Sequence, residues 1–216
     1  MTARWSRRRI AVAALVTVVL AVVAVIAVAA ARRSDVADAP SESGGVHGPL
    51  CDALPSGDDP GSPAAIAELD ASVALTWIPV LTVFEAGTRA AGLTSELAES
   101  GGITILAPSD DAFLLAMTQE TLDELIISRQ DELRELLESH IVDAQLSVTD
   151  LVTAGSVTTL SGDTFEVDAA GSEAVVDGRA AMVCSDYRVA NATIHVIDAV
   201  LGELPAPAPP AEPAHE

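Results

Sequence analysis

The sequence predicts an α+β domain in which helices come first and antiparallel strands follow. In the first half of the domain the pattern is helical, with Leu133, Leu136, Leu137 and His140 on one face at positions i, i+3, i+4 and i+7. From Val157 onward the pattern changes to short β-type runs separated by turn residues, and Asp177-Gly178 is a strong hairpin signal.

Individual elements follow from caps and turn residues. Pro79 suits the first turn of a helix that Gly92 ends, Thr118 can cap a second helix, and a capping-box pattern at Ser128–Asp131 opens a third. Short β-type runs are typical of strands bounded by turns, of which Gly162-Asp163 is one. The strands so predicted are Ile103–Ala107, Val157–Leu160, Thr164–Val167, Ala174–Val176, Ala180–Val183 and Ile194–Leu201.

Composition and charge exclude one class of function. Half of the 216 residues are apolar but only 3% are aromatic, so the core is expected to consist of Val, Leu, Ile and Ala. Eleven basic residues, all of them Arg, oppose 32 acidic ones and give a net charge of −21. A nucleic-acid partner is excluded, because its phosphates require a basic face.

The amino end predicts export. Residues 1–9 form a basic leader, and the 22 residues Ile10–Ala31 are apolar apart from Thr17. As a helix this segment would be about 33 Å long, enough for a hydrocarbon core of roughly 30 Å. The surplus of Arg before it places the amino terminus in the cytoplasm and the chain after Arg33 outside. We therefore expect a single-pass protein of the cell membrane, anchored by residues 10–31, with its carboxyl-terminal domain extracytoplasmic.

A cleaved signal peptide is the alternative. Ala29-Ala30-Ala31 fits a small-x-small cleavage pattern, and cleavage near Ala31 would make the protein secreted. Both alternatives export the rest of the chain. Cys51 and Cys184 then lie where disulfides persist and allow one bridge, with two unpaired buried thiols as the other possibility.

Composition also divides the exported part. Residues 32–50 are rich in Ser, Gly, Pro and acidic residues and predict a flexible acidic stalk. Residues 204–216 are a Pro/Ala-rich tail that we expect to be disordered. Residues 51–203 remain as one domain.

Four segments, in order, resemble signatures of the fasciclin family. They are Ile103–Phe113 (ITILAPSDDAF), Leu136–Val142 (LLESHIV), Val157–Gly162 (VTTLSG) and Asn191–Leu201 (NATIHVIDAVL). The resemblance implies a β-sandwich wedge flanked by helices, and with Cys51 and Cys184 the chain resembles the secreted or envelope-anchored single-domain fasciclin proteins of high-GC bacteria. It implies a recognition or cell-adhesion module, with an unknown surface protein or glycan as partner.

Two histidines and several polar residues are candidates for a role. His140 lies in the family's helix-end segment and is a possible binding element, although a buried histidine that is hydrogen-bonded within the core is the preferred interpretation. The family often has Tyr-His where this chain has Ser139-His140. By strand alternation His195 points away from Ile194 and Val196, and we expect it at the surface.

The remaining polar candidates are interpreted structurally. Asp198 is expected to accept backbone N–H groups or to pair with an Arg, and Asp58-Asp59 and Asp110-Asp111 to be solvated charge. Asn191 is either a structural turn residue, as in the family, or the acceptor of the glycosylation sequence Asn-Ala-Thr.

No sequence pattern points to catalysis. The chain lacks a Gly-x-Ser-x-Gly elbow, a His-Glu-x-x-His pattern and a phosphate-binding Gly loop, so we predict no enzyme activity, no cofactor and no metal site. The alternative function is a carrier or sensor of a small apolar ligand such as a lipid, held between the helical layer and the sandwich.

Overall fold

The computed structural model describes residues 45–207. The predicted leader (1–9), membrane anchor (10–31), most of the stalk and the end of the tail lie outside these residues. Between residues 45 and 207 no helix has the length and apolar character of a membrane span.

Most helices lie in the first part of the domain and most strands in the second, as the sequence predicts. In the described part of the chain a 3-10 turn, Cys51–Ala53, is followed by eight α-helices. These are α1 Pro63–Ile66, α2 Ala71–Leu75, α3 Thr82–Ala90, α4 Thr94–Glu99, α5 Asp110–Ala116, α6 Gln119–Ile127, α7 Gln130–Glu138 and α8 Val148–Ala154. The strands are β1 Ile103–Pro108, β2 Ile141–Val142, β3 Ser156–Thr158, β4 Thr164–Ala170, β5 Glu173–Val176, β6 Ala180–Arg188 and β7 Ala192–Ile197. The fold is α+β.

Caps explain where several helices begin. Thr118 caps α6 as predicted, because its hydroxyl accepts the Thr121 N–H. The predicted capping box at Ser128–Asp131 is wrong: α7 begins after Arg129, and no side chain caps its first turn.

Two acidic pairs behave differently. Asp58 and Asp59 are exposed, in agreement with solvated charge. Asp110 is not merely solvated, because it accepts the Val83 N–H at 2.8 Å and the Thr82 hydroxyl at 2.7 Å. It thereby satisfies a free N–H group in the first turn of α3, which begins three residues after Pro79.

The strands form one sheet that nearly closes on itself. Their order is β2-β1-β7-β6-β5-β4-β3, with β1 and β7 parallel and the other pairs antiparallel. The Leu160 N–H donates to the Ile141 carbonyl at 2.8 Å and so joins the chain after β3 to β2, at the opposite end of the order. The predicted sandwich is therefore a single sheet bent almost into closure.

Each face of this sheet covers a separate core. Ile105 and Ile194 face the helices and pack with Phe84 and Leu137. Leu106 and Ile197 face the other way and pack with side chains of β3 to β6 and α8. A buried Leu or Ile contributes roughly 1.5–3 kcal/mol, so these two layers are the main source of stability. The layer under the helices, where an apolar ligand would sit, is occupied by side chains.

The expectation that His195 is exposed is wrong. All six residues of β7 are buried, and His195 is fully buried among them. Alternating side chains of a strand are exposed only if one face of the sheet is in contact with water. The strand β7 lies between β1 and β6, and a core covers both of its faces.

The predicted disulfide is confirmed. Cys51 and Cys184 are bonded with their Cα atoms 5.1 Å apart, within the usual 4.4–6.8 Å. Residues before Cys51 are also ordered: the Leu50 N–H donates to the Val183 carbonyl at 2.9 Å, and His47 pairs with Ser185 through two backbone bonds. The end of the region assigned to the stalk thus adds to the edge of β6.

Candidate functional site

His140 is buried just after the end of α7, where its ring links this helix to the backbone of Leu201. Its Nδ1–H donates to the Leu136 carbonyl at 2.7 Å, and its Nε2 accepts the Leu201 N–H at 2.9 Å. The ring stands edge-on to Phe84 with the ring centres 6.2 Å apart. This arrangement agrees with the preferred interpretation of a hydrogen-bonded core histidine.

Burial keeps the His140 ring neutral at physiological pH. Loss of hydration is the main reason that its pKa is lowered to about 4. The bond to the Leu136 carbonyl acts in the opposite direction, and the positive charge of Arg179 adds to the lowering. A neutral imidazole offers one donor and one acceptor, which is the pair of bonds observed. The ring therefore fixes the start of the carboxyl-terminal segment.

Two arginines hold that segment further along. The Gly202 carbonyl accepts from Arg179 Nη2 at 3.3 Å, and the Ala206 carbonyl accepts from Arg129 Nη1 at 2.9 Å. Gly202 has φ +74°, and a Cβ there would lie 2.7 Å from the Ser139 hydroxyl, so glycine is needed for the close approach. The chain thus follows the helices past Glu203, beyond the predicted domain boundary.

A groove lies on each side of this segment. The first has a volume of about 270 Å³ and is lined by the segment itself together with Glu132, Glu135, Ser139 and Asp163. The second, of about 350 Å³, lies between the segment and Ala116, Met117, Thr118 and Thr121. Ser139, at the position where the family often has Tyr, is almost fully buried at the wall of the first groove.

A third groove lies on another face, where the amino-terminal segment, residues 45–50, meets α5. Its volume is about 320 Å³, and its apolar lining includes Leu50, Leu115 and Val183. Leu115 is 85% exposed and its neighbour Leu114 is 54% exposed. Carboxylates of Asp111 and Asp198 stand beside these apolar groups.

Two other polar candidates have structural roles, as predicted. Asp198 accepts the Ala181 N–H at 2.7 Å. The Asn191 side-chain oxygen accepts the Ala71 N–H at 2.8 Å, and its Nδ2 donates to the Leu97 carbonyl at 2.8 Å. A glycan on Nδ2 would have to break this link between α2 and α4, so the geometry supports the structural turn residue.

His195 also serves the backbone. Its Nε2–H donates to the Leu146 carbonyl at 3.1 Å, and its Nδ1 accepts the Asp186 N–H at 3.3 Å. Burial lowers its pKa, although the nearby Asp186 carboxylate favours the charged form. Within residues 45–207 no cluster of three or more His, Cys, Asp or Glu is arranged to hold a metal ion.

Comparison with known proteins decides the family. The profile described as Fasciclin domain matches residues 79–203. The chain belongs to the fasciclin domain family. Immunogenic protein MPB70 of Mycobacterium bovis is 32% identical over 174 residues, covering 75% of this chain and 84% of MPB70.

Other fasciclin relatives are matched over a smaller share of their own length. Transforming growth factor-beta-induced protein ig-h3 of Sus scrofa is 34% identical over 54% of this chain but only 17% of its own. Protein sll1483 of Synechocystis is 30% identical over 54% of this chain and 63% of its own. A solved FAS1 domain pair from the insect cell adhesion molecule fasciclin I is 23% identical, with a TM-score of 0.45, over 56% of this chain and 44% of that one.

In this fasciclin domain the first and last signature segments lie side by side. They form β1 and β7, which pair in parallel with Ile105 opposite Ile194. The grooves lie outside these strands. Arg129 and Arg179, which bind the carboxyl-terminal segment, and Leu115, which lines the third groove, carry no sequence pattern that would single them out, and they were not among the predicted site residues.

Proposed function

We propose that the chain is an extracytoplasmic, membrane-tethered fasciclin module that acts by surface recognition or cell adhesion, without catalysis. Its family membership supports the recognition role, and the apolar segment Ile10–Ala31 supports the tether. The two buried histidines support the absence of catalysis, because both ring nitrogens of each are bonded to protein groups.

The exposed leucines beside the third groove carry the proposal. Leu115 lines the groove together with Leu50 and Val183, and Leu114, its neighbour in α5, is also exposed. An exposed apolar patch rimmed by polar groups is typical of an interaction surface. Because Asp111 and Asp198 stand at this groove and the chain carries a net charge of −21, the matching partner is a protein surface with apolar side chains and basic groups.

The test is a binding screen with the full chain in detergent against purified cell-envelope proteins and glycans. We expect saturable binding to a basic protein, and at least about a tenfold loss with Leu115→Asp, since removal of a central apolar anchor costs 1.4 kcal/mol or more. Ile127→Asp is the matched control, because Ile127 is 74% exposed on a different helix.

Two results would contradict the proposal. Absence of any saturable partner would remove the recognition role. A partner whose binding is equally weakened by Leu115→Asp and Ile127→Asp would remove the third groove as its site, and binding only to glycans would make the assigned partner class wrong.

The tether has its own test. Membrane fractions washed with alkaline carbonate should retain the protein, and its amino terminus should lie upstream of Ile10. An amino terminus at or just after Arg32 would show that the segment is cleaved and that the protein is secreted.

A further inference from the structure

Two residues that line the third groove are each followed directly by a cysteine of the disulfide. Leu50 precedes Cys51, and Val183 precedes Cys184. The bridge joins these cysteines with their Cα atoms 5.1 Å apart. It therefore holds the amino-terminal wall of the groove, formed by Pro49 and Leu50, against β6.

Apart from the bridge, three backbone hydrogen bonds hold the amino-terminal segment, residues 45–50, to β6. Two of them join His47 to Ser185, at 2.7 and 3.2 Å, and the third joins the Leu50 N–H to the Val183 carbonyl at 2.9 Å. Each residue of the segment is exposed or only partly buried. The net contribution of one such bond is small, so the segment is weakly held without the bridge.

The ion pair of the segment is weak as well. His47 Nε2 lies 3.9 Å from the Asp186 carboxylate, and the His47 side chain is 48% exposed. A half-exposed pair at this distance adds little to stability. We therefore expect the segment to open locally at low cost once the bridge is broken.

Little of the rest of the domain depends on this segment. From Cys51 to Pro60, Leu54 is the only buried residue, so the chain can detach as far as Pro60 with the loss of a single core side chain. The opposite wall of the groove is α5, which Ser109 caps and whose Phe113 is buried in the helical core. Loss of the bridge should open one wall and leave the other in place.

A dithiol reductant reaches the bridge from the Cys51 side, because Cys51 is only partly buried whereas Cys184 is fully buried. A thiolate of the dithiol attacks the Cys51 sulfur and expels the Cys184 sulfur, which takes up a proton. The second thiol of the reductant then attacks the mixed disulfide and releases Cys51 as a thiol. The dithiol is oxidised to a cyclic disulfide, and the two cysteines are reduced to thiols.

We propose that the Cys51–Cys184 bridge is a redox gate on the third groove. In the oxidised protein both walls of the groove are in place. Reduction by a dithiol releases residues 45–50 and removes the wall that Pro49 and Leu50 form. The gate regulates the surface that carries the proposed recognition role and in that respect rests on the proposed function, whereas release of the segment requires no partner.

Amide-resolved hydrogen exchange of the full chain in detergent, before and after reduction with dithiothreitol, tests this release. The reporters are the amides of Leu50 and Ser185, which donate to Val183 and His47 between the segment and β6. We expect both to exchange at least about tenfold faster after reduction, because a covalent link then no longer opposes local opening. Reoxidation with oxidised glutathione should restore the slow rates, and unchanged rates on reduction would overturn the gate.

The amides of Leu106 and Phe113 are the internal control, because they donate to the carbonyls of His140 and Ser109 within the folded domain. Their exchange rates should stay the same on reduction. If they accelerate in parallel with Leu50, reduction opens the whole domain, and the bridge is not a gate on one wall.

Cys51→Ser separates the bridge from other effects of the reductant. It removes the disulfide and leaves the Cys184 sulfur in the core. Exchange at Leu50 should be fast in this variant with or without dithiothreitol, and slow exchange would contradict the proposal. If Leu106 also exchanges rapidly in this variant, Cys184→Ala takes its place.

A protein whose binding is lost with Leu115→Asp reports on regulation of the recognition site. We expect reduction to weaken its binding several-fold, because the contacts with Leu50 are lost, and Cys51→Ser to bind equally weakly in both redox states. Equal affinity of the oxidised and reduced protein, with faster exchange at Leu50, would overturn the regulatory role. Absence of such a protein removes the recognition role, and the exchange rates alone then decide whether the bridge gates the groove.

Discussion

His140 and His195 adopt opposite tautomers, each set by its neighbours. A carbonyl can only accept, so the proton lies on Nδ1 of His140, facing Leu136, and on Nε2 of His195, facing Leu146. The other nitrogen accepts a backbone N–H, which comes from Leu201 for His140 and from Asp186 on the neighbouring strand β6 for His195. Protonation of either ring would put an N–H on the nitrogen that now accepts, where it would face the backbone N–H of Leu201 or Asp186.

Stability should therefore fall with acid. The pKa of His140 is about 4 in the fold against 6.5 ordinarily, so between these values the unfolded chain binds the proton and the folded chain does not. The neutral ring's contribution to the free energy of unfolding is intact above pH 6.5 and is lost as pH falls to 4. At 1.36 kcal/mol per pKa unit, the loss is about 3 kcal/mol. Burial lowers the pKa of His195 in the same direction.

Urea unfolding between pH 7.5 and pH 4.5 measures this loss. His140→Gln removes one titrating group and should flatten the dependence, although the variant is expected to be less stable at pH 7.5. An unchanged slope in that variant would show that His140 does not carry the effect.

At the scale of elements, the amino-terminal segment, residues 45–50, depends on Gly48 for its close approach to β6. Its φ is +125°, and a Cβ would lie 2.3 Å from the Val183 carbonyl oxygen. Gly48→Ala should cost roughly 1–3 kcal/mol, as expected for a residue forced into a sparsely populated conformation. Hydrogen exchange at the Leu50 amide and urea unfolding measure the effect.

Gly45→Ala is the matched control, because a Cβ at Gly45 has no atom within 4 Å. Equal exchange rates at the Leu50 amide in the two variants would contradict the assigned role of Gly48.

A second element-scale prediction concerns caps. Ser147 caps α8 in a capping box with Asp150, whereas Ser128, where a box was expected, makes no cap for α7. Ser147→Ala should lower the free energy of unfolding by about 1 kcal/mol and Ser128→Ala should leave it nearly unchanged. Similar losses in both variants, measured by urea unfolding, would show that the cap assignment is wrong.

These two serines show how far local patterns reach. Both begin a Ser-x-x-Asp sequence. Only Ser147 lies at the N-cap position, because tertiary packing determines the residue at which each helix begins. The Thr118 cap, the Asp177-Gly178 hairpin and the buried face of α7 were predicted because each rests on neighbours within a few residues. The parallel pairing of β1 with β7 was not, because it joins residues far apart in the chain.

The candidate site was less predictable than the fold for the same reason. The segment that contains His140 singled this residue out, but its partner Leu201 is 61 residues further along the chain, after β7. Arg129 becomes informative only when the tail is seen to reach it. For His195, the continuous apolar run of β7 was a usable signal of a strand buried on both faces.

For the whole molecule, acidity is the dominant electrostatic feature. The net charge of −21 places like charges within a Debye length of about 10 Å at 0.1 M salt. The Tm should therefore rise as NaCl is added from low to moderate concentration, since screening relieves repulsion more than it weakens the few Arg pairs. A calorimetric Tm that stays flat or falls would remove this explanation.

The position of the disulfide determines how the domain bears a mechanical load. Cys51 and Cys184 are 133 residues apart in sequence, so tension between the two ends of the chain crosses directly from one sulfur to the other. Helices α1 to α8 and strands β1 to β5 lie inside the closed loop, so the backbone that forms them cannot be drawn out while the bridge is intact. While the bridge is oxidised, a stretched molecule can lengthen only by the residues before Cys51 and after Cys184, and reduction would release the length of the whole loop.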